Sequence, residues 1–141
     1  MALIETDFLL ALASKDDVHH NEIIKLIKLI KPLKLSPYSL MELDLIILSG
    51  RIKVRIPEFY ESLDKVLTYY GIEIIKPSPK HIAKGWEIRE KYELTYFDSL
   101  HASTAIIENE MLVSYDKIYS NIEGLRYCNP RDLLKKYKVN E

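Results

Sequence analysis

The chain is poor in the residues that build staples and metal clusters. Its 141 residues include one cysteine, Cys128, so neither an internal disulfide nor a paired-cysteine metal site can form. Four histidines are present, His19, His20, His81 and His101, and no two stand as HxxxH on one helix face, which leaves zinc without an obvious donor set. No segment approaches the ~18 continuous apolar residues that a membrane span needs. There is no charge excess, because 20 basic and 21 acidic side chains leave a formal net charge of −1. A chain of this balance is not a general polyanion binder, so any nucleic-acid function must come from a local site. The opening MALIETDFLLALAS has no basic n-region, and Glu5 and Asp7 interrupt its apolar run; it is not a secretory signal, and the expectation is a cytoplasmic protein. Repeats, low-complexity tracts and linkers are also missing.

What remains is an ordinary globular composition, 48% hydrophobic and 29% charged, in a length that suits a single domain over residues 1–141 with a core of its own. Short apolar runs alternate with longer segments of helical period. Strands are expected at Ala2–Glu5, Lys34–Ser36, Ile72–Ile75, Met111–Ser114 and Leu125–Cys128. Helices are expected from Phe8 to Ala13, Val18 to Ile30, Pro37 to Leu48, Pro57 to Tyr70 and Pro79 to Tyr92, then over the segment led by Asp98 and from Pro130 to Tyr137. Pro32 closes the second helix, Gly50 the third and Gly71 the fourth. Strands of about four residues between helices of ten or more predict an α/β fold with a parallel sheet covered on both faces. In such sheets ligands bind outside the carboxyl ends of the strands.

Four acids fall at informative places. Asp7 follows the first strand in IETDF, and Asp116 follows a late strand in LVSYD. Glu42 sits within the apolar helix SLMELDLIIL, and Asp98 stands at the head of SLHASTAII. Each has an ordinary alternative: Asp98 suits a helix N-cap, Glu42 a solvent-facing position, Asp7 and Asp116 plain loop acids. Gathered at one edge they would repel, since a buried ionised carboxylate costs several kcal/mol unless paired or bound to metal. A hard divalent cation such as Mg²⁺ or Mn²⁺ relieves that repulsion through oxygen ligands.

The order Thr6-Asp7, Glu42, Asp98 before HASTA, and LVSYD ending in Asp116 resembles the PIN domain family, and within it the small VapC-type ribonuclease toxins. The resemblance runs from about Leu3 to about Leu134. It implies a PIN-like three-layer α/β/α fold with a short-stranded parallel sheet. It matches Asp7, Glu42, Asp98 and Asp116 to the family's catalytic, metal-binding acids. Thr6 and Ser114 match supporting hydroxyl positions. His101 falls in a DxxHA pattern where the histidine is not usually catalytic. Lys117, Ile118 and Tyr119 depart from the family pattern after the last acid, leaving Glu123 or Asn121 as substitutes for a fifth ligand. The implied activity is a metal-dependent endoribonuclease using Mg²⁺ or Mn²⁺ on single-stranded RNA and leaving 5′-phosphate and 3′-hydroxyl ends. The implied partners are a second copy of the chain, as a homodimer, and a small cognate antitoxin. The alternatives are a catalytically inactive PIN-like binding module and a PIN nuclease of RNA processing.

Arg51, Lys53 and Arg55 follow the Glu42 helix and are candidate phosphate contacts. A receiver domain is disfavoured because Lys76 and Pro77, not an aspartate, follow the third strand. A HEPN-type ribonuclease needs an arginine a few residues before a histidine, and no arginine meets that spacing.

Overall fold

The computed structural model describes residues 1–139. The elements run β1 (Ala2–Ile4), α1 (Thr6–Ala13), α2 (His20–Leu29), β2 (Leu33–Leu35), α3 (Tyr38–Leu48), α4 (Glu58–Tyr69), β3 (Glu73–Ile74), α5 (Pro79–Lys91), α6 (Tyr96–Ile107), β4 (Met111–Val113), β5 (Tyr127–Cys128) and α7 (Pro130–Val139), with a 3₁₀ turn at Lys117–Tyr119. The five strands form one sheet in the order β3-β2-β1-β4-β5. Every pairing is parallel, with Leu3 opposite Lys34 on one side and Leu112 on the other. The expected three-layer α/β/α arrangement is therefore present, with all five strands within a residue or two of their expected places.

Strand periodicity of two divides the core. Ala2, Ile4, Leu33, Leu35 and Val113 face a layer built with Phe8, Leu9, Ile23, Leu26 and Leu63 from α1, α2 and α4. Leu3 and Leu112 face the opposite layer, where they meet Ile88 of α5 and Ala102 and Ala105 of α6. The central strands are too short to bury much themselves, so each inward leucine matters. Lys34 points to the second side as well, and there it pairs with Glu110 at 3.0 Å.

Local signals place the helix starts. Ser78 accepts a hydrogen bond from the Lys80 N–H at 3.2 Å, with Pro79 in the first turn of α5, the arrangement that satisfies orphan amides. Gly71 follows α4 with φ +68, a left-handed turn that glycine adopts without strain. Three helix starts differ from the sequence expectation. The first helix begins at Thr6, because the Glu5 carboxylate caps it there. The second helix begins at His20, because the residues before it form turns and Val18 is 89% exposed. The Asp98 helix begins earlier, at Tyr96, and its cap is Thr95, whose hydroxyl accepts from the Asp98 N–H at 3.2 Å. Asp98 is therefore not the cap, and its carboxylate is free for other work.

Leu112 has no exposed surface at the centre of the sheet. Leu112→Ala is expected to lower unfolding stability by about 2–5 kcal/mol, read as a drop in the urea midpoint with an unchanged slope.

Candidate active site

The parallel sheet delivers the ends of β1, β2 and β4 to one edge, and polar side chains collect there. Glu5 ends β1 and is 5% exposed. Its carboxylate accepts from the Asp7 N–H at 3.0 Å and so caps α1. Thr6, next in the chain, donates its hydroxyl to Glu42 Oε1. Glu42 comes from the middle of α3, half-buried, while Asp44 points away and accepts from the Tyr60 hydroxyl at 2.7 Å.

His101 lies beneath Glu42 with no exposed surface. Its Nε2 is 2.9 Å from Glu42 Oε1 and 3.7 Å from Glu5 Oε2. Its Nδ1 is 2.8 Å from the hydroxyl of Ser36, just beyond β2. Nε2–H donates to the carboxylate and Nδ1 shares a hydrogen bond with the serine hydroxyl, so both nitrogens are satisfied. Burial alone would push Glu42 up, but the hydrogen bonds from His101 and Thr6, with the charges of His101 and Arg51, hold its carboxyl below the ordinary range.

The end of β4 closes the pocket. Ser114 Oγ donates to Asp7 Oδ2 at 2.9 Å and accepts from the Asp116 N–H at 3.0 Å. The Tyr115 N–H also donates to Asp7 Oδ2, at 2.8 Å. Asp7 Oδ1 is buried without a partner. Asp98 receives the Tyr119 hydroxyl at 3.2 Å. Burial raises its carboxyl, as do the charges of Asp116 and Glu42, against the opposing hydrogen bond from Thr95. Glu5 is pushed well above the ordinary glutamate value by burial first, then by Asp7 and Glu42. Tyr119, buried among Glu5, Asp98 and Glu42, is raised by the same desolvation and negative field.

The predicted quartet thus arrives as electrostatic neighbours. Asp98 senses Asp116 and Glu42, and Asp7 shares Ser114 with the amide of Asp116. Glu5 escaped the sequence reading, and His101 was read there only as a non-catalytic histidine. Among the described residues, Glu5, Glu42 and His101 form a group whose donor atoms lie within 4.8 Å of one another, a candidate grouping for a metal ion. Glu5 was legible in principle, since it stands directly at the carboxyl end of β1, one step closer to the sheet edge than Asp7. His101 gave a pattern but no hint of its burial. The donor chemistry fits a hard divalent cation: carboxylates dominate, the imidazole is already hydrogen-bonded, and a buried carboxylate oxygen lacks a partner. Of the basic cluster, Arg51 is exposed, bonded to Ser49 Oγ at 3.1 Å, and near enough to Glu42 to act on its charge. Lys53 and Arg55 are exposed on the loop that follows.

A five-stranded parallel sheet with carboxylates crowded at its carboxyl edge defines the class: an α/β domain with an acidic cluster at the sheet edge. The particular family is given by comparison. A model of the PIN domain matches residues 2–125, and the chain belongs to the PIN domain family, a family of nucleases. No curated protein matches the chain. Among solved structures, the chain is similar to VapBC2 from Rickettsia felis bound to a DNA fragment from their promoter, at 25% identity and TM-score 0.70, covering 91% of this chain and 97% of that one. The fold is also shared with the DNA-bound VapBC of Salmonella typhimurium, at 18% identity and TM-score 0.65 over 92% and 97% of the two chains. VapC20 of Mycobacterium tuberculosis, a Sarcin-Ricin loop cleaving toxin, shares it at 16% identity and TM-score 0.64 over 85% and 93%. Among the described residues no helix is long and apolar enough to cross a membrane.

A Glu5 carboxyl raised in the folded state takes up protons more readily there than in the unfolded chain. Its contribution to stability therefore falls as pH rises from the unfolded value of 4.5 through the folded one. Glu5→Gln, which keeps an acceptor for the Asp7 N–H, is expected to raise the melting temperature in EDTA at pH 7. The gain should shrink towards pH 4, as followed by thermal denaturation across that range.

Proposed function

We propose that this chain is a metal-dependent endoribonuclease that cleaves single-stranded RNA and serves as the toxin of a toxin–antitoxin pair. The observation that carries the reading is the convergence of Glu5, Asp7, Glu42, Asp98 and Asp116 at one sheet edge, with Glu5 and Asp98 raised first by burial and then by neighbouring carboxylates. Such a cluster is costly without a cation. The toxin role is supported by the structural likeness to VapBC2, which also supports a small antitoxin partner; a homodimer is part of the same reading.

Asp7, Glu42, Asp98 and Asp116 would hold Mg²⁺ or Mn²⁺, with Glu5 as a further carboxylate beside them. When bound, the ion supplies a water acidic enough to attack near neutral pH and offsets charge on the phosphodiester oxygens. The protein's own share is positioning. His101 and Thr6 keep Glu42 ionised and fix its Oε1, so the other oxygen is presented to the pocket. Ser114 and the Tyr115 amide clamp Asp7. Tyr119 steadies Asp98. Glu42 is suited to orient the attacking water, because its proton affinity is held low and its orientation is set from two sides. Arg51, with Lys53 and Arg55 on the same loop, would receive substrate phosphates. Products carry 5′-phosphate and 3′-hydroxyl ends.

A nuclease of RNA processing would share this chemistry, and an inactive binding module would lack it. Purified protein is expected to cut a panel of single-stranded RNAs in Mn²⁺ or Mg²⁺ and to lose the activity in EDTA. Asp98→Asn and Glu42→Gln should each reduce the rate by about a hundredfold or more, and Ser114→Ala by about 10–100-fold. Intact RNA at every metal concentration would reject the nuclease. Cleavage without growth arrest on expression would reject the toxin role alone.

A further inference from the structure

The outer face of α5 and the start of α6 carry an assembly that the acidic pocket does not use. Trp86 is 62% exposed and Tyr96 is 55% exposed. Between them stands Arg89, its guanidinium carbon 5.0 Å from the Trp86 ring centre and 5.1 Å from that of Tyr96. The guanidinium is fixed by donating to Ser99 Oγ at 2.5 Å, and the serine donates in turn to the Tyr96 carbonyl at 2.6 Å. Gly85, one turn before Arg89, leaves the room: a β-carbon there would stand 3.4 Å from an Arg89 nitrogen and 3.3 Å from Leu100. Phe97 braces the Tyr96 ring edge-on at 5.3 Å. Among the described residues no carboxylate pairs with Arg89.

Two large rings are thus left open to solvent, and a cation without a counter-charge is held rigidly against them. Both features lie close to the acidic edge along the chain. Ser99 follows Asp98 directly, and Tyr96 precedes it by two residues, about 3 Å of helix rise. The Tyr96 phenol is also an electrostatic neighbour of Tyr38, which follows the carboxyl end of β2.

We propose that Trp86, Arg89 and Tyr96 form a stacking platform for unpaired bases of single-stranded RNA, with the guanidinium meeting the adjoining phosphate. The proposal rests on the nuclease reading and names a substrate contact for that site. Exposed aromatic faces beside a fixed guanidinium are what sequence-tolerant binding of unpaired bases uses. An acidic pocket also needs nearby positive charge to hold a polyanion. The competing occupant is a second copy of this chain. A two-fold contact centred on the patch would bring two Arg89 cations together, which favours RNA over self-association.

Trp86 is the chain's one tryptophan, so its emission reports this surface directly. The intact protein is titrated, in Ca²⁺ to limit cleavage, with a short fluorescein-labelled single-stranded RNA and with an abasic strand of equal length. Anisotropy of the label reads binding, and tryptophan emission reads stacking. The expected result is quenching by the base-bearing strand and none by the abasic one. Tyr96→Ala and Arg89→Ala should each weaken binding roughly fivefold to a hundredfold, with an unchanged melting temperature. RNA binding that leaves Trp86 emission unchanged overturns the platform, as does no binding at all. Equal quenching by the abasic strand overturns it too. So does a Tyr96→Ala protein that binds RNA normally but changes from dimer to monomer in light scattering. Cleavage in Mn²⁺, measured separately, keeps the two readings apart. Cleavage with silent emission removes the platform alone, and base-dependent quenching without cleavage removes the nuclease alone.

Discussion

Mutual repulsion among carboxylates is the constraint around which this molecule is organised. Glu5 and Asp98 sit where burial, and after it like-charged neighbours, make ionisation costly, and both are raised accordingly. A fold tolerates this only if its core is strong enough to hold the groups in place. Here the core is a sheet whose strands are two or three residues long, buried between helical layers. The strands contribute little area of their own, and their role is to end together. Parallel pairing of β1, β2 and β4 sets Glu5, Ser36 and Ser114 at a common edge, and α3 and α6 then lay Glu42, His101 and Asp98 across it.

The repulsion is also graded. Glu42 is held low by His101 and Thr6, whereas Glu5 and Asp98 are held high. One acid is thus eased towards its charged form, and two are made harder to ionise. Burial raises all three, and the difference is that hydrogen bonds offset it at Glu42 and not at the other two. Glu5 is more deeply buried, yet its donors come from a residue that is itself acidic, while Glu42 is met by an imidazole and a hydroxyl.

Much of this was legible in the sequence, for physical reasons that differ by element. The strands were readable because short β-branched and leucine-rich runs stood between helical periods, and Gly71 and Pro79 marked helix ends through backbone geometry alone. Asp7, Glu42, Asp98 and Asp116 were readable because each interrupts or borders an apolar stretch. Glu5 was passed over because an acid that caps a helix looks like an acid with only that task. His101 was passed over because burial depends on what α3 brings above it, a contact across 59 positions. The Thr95 cap was missed for a simpler reason: the aspartate three residues on offered an equally good cap by composition. The Arg89 assembly left no mark, since its two rings are ten positions apart and meet only when α5 folds back along α6.

Tyr115 ties the acidic edge to parts of the molecule far from it. Its amide holds Asp7, its hydroxyl reaches Glu22 of α2 at 2.6 Å, and its ring stacks on His19 at 3.8 Å. Glu22 in turn meets Arg131 of α7 at 3.5 Å. One aromatic residue is therefore a tether between the outer helices and a carboxylate of the pocket. Whatever grips or shifts α2 pulls on that tether, and the first thing it loosens is the clamp on Asp7.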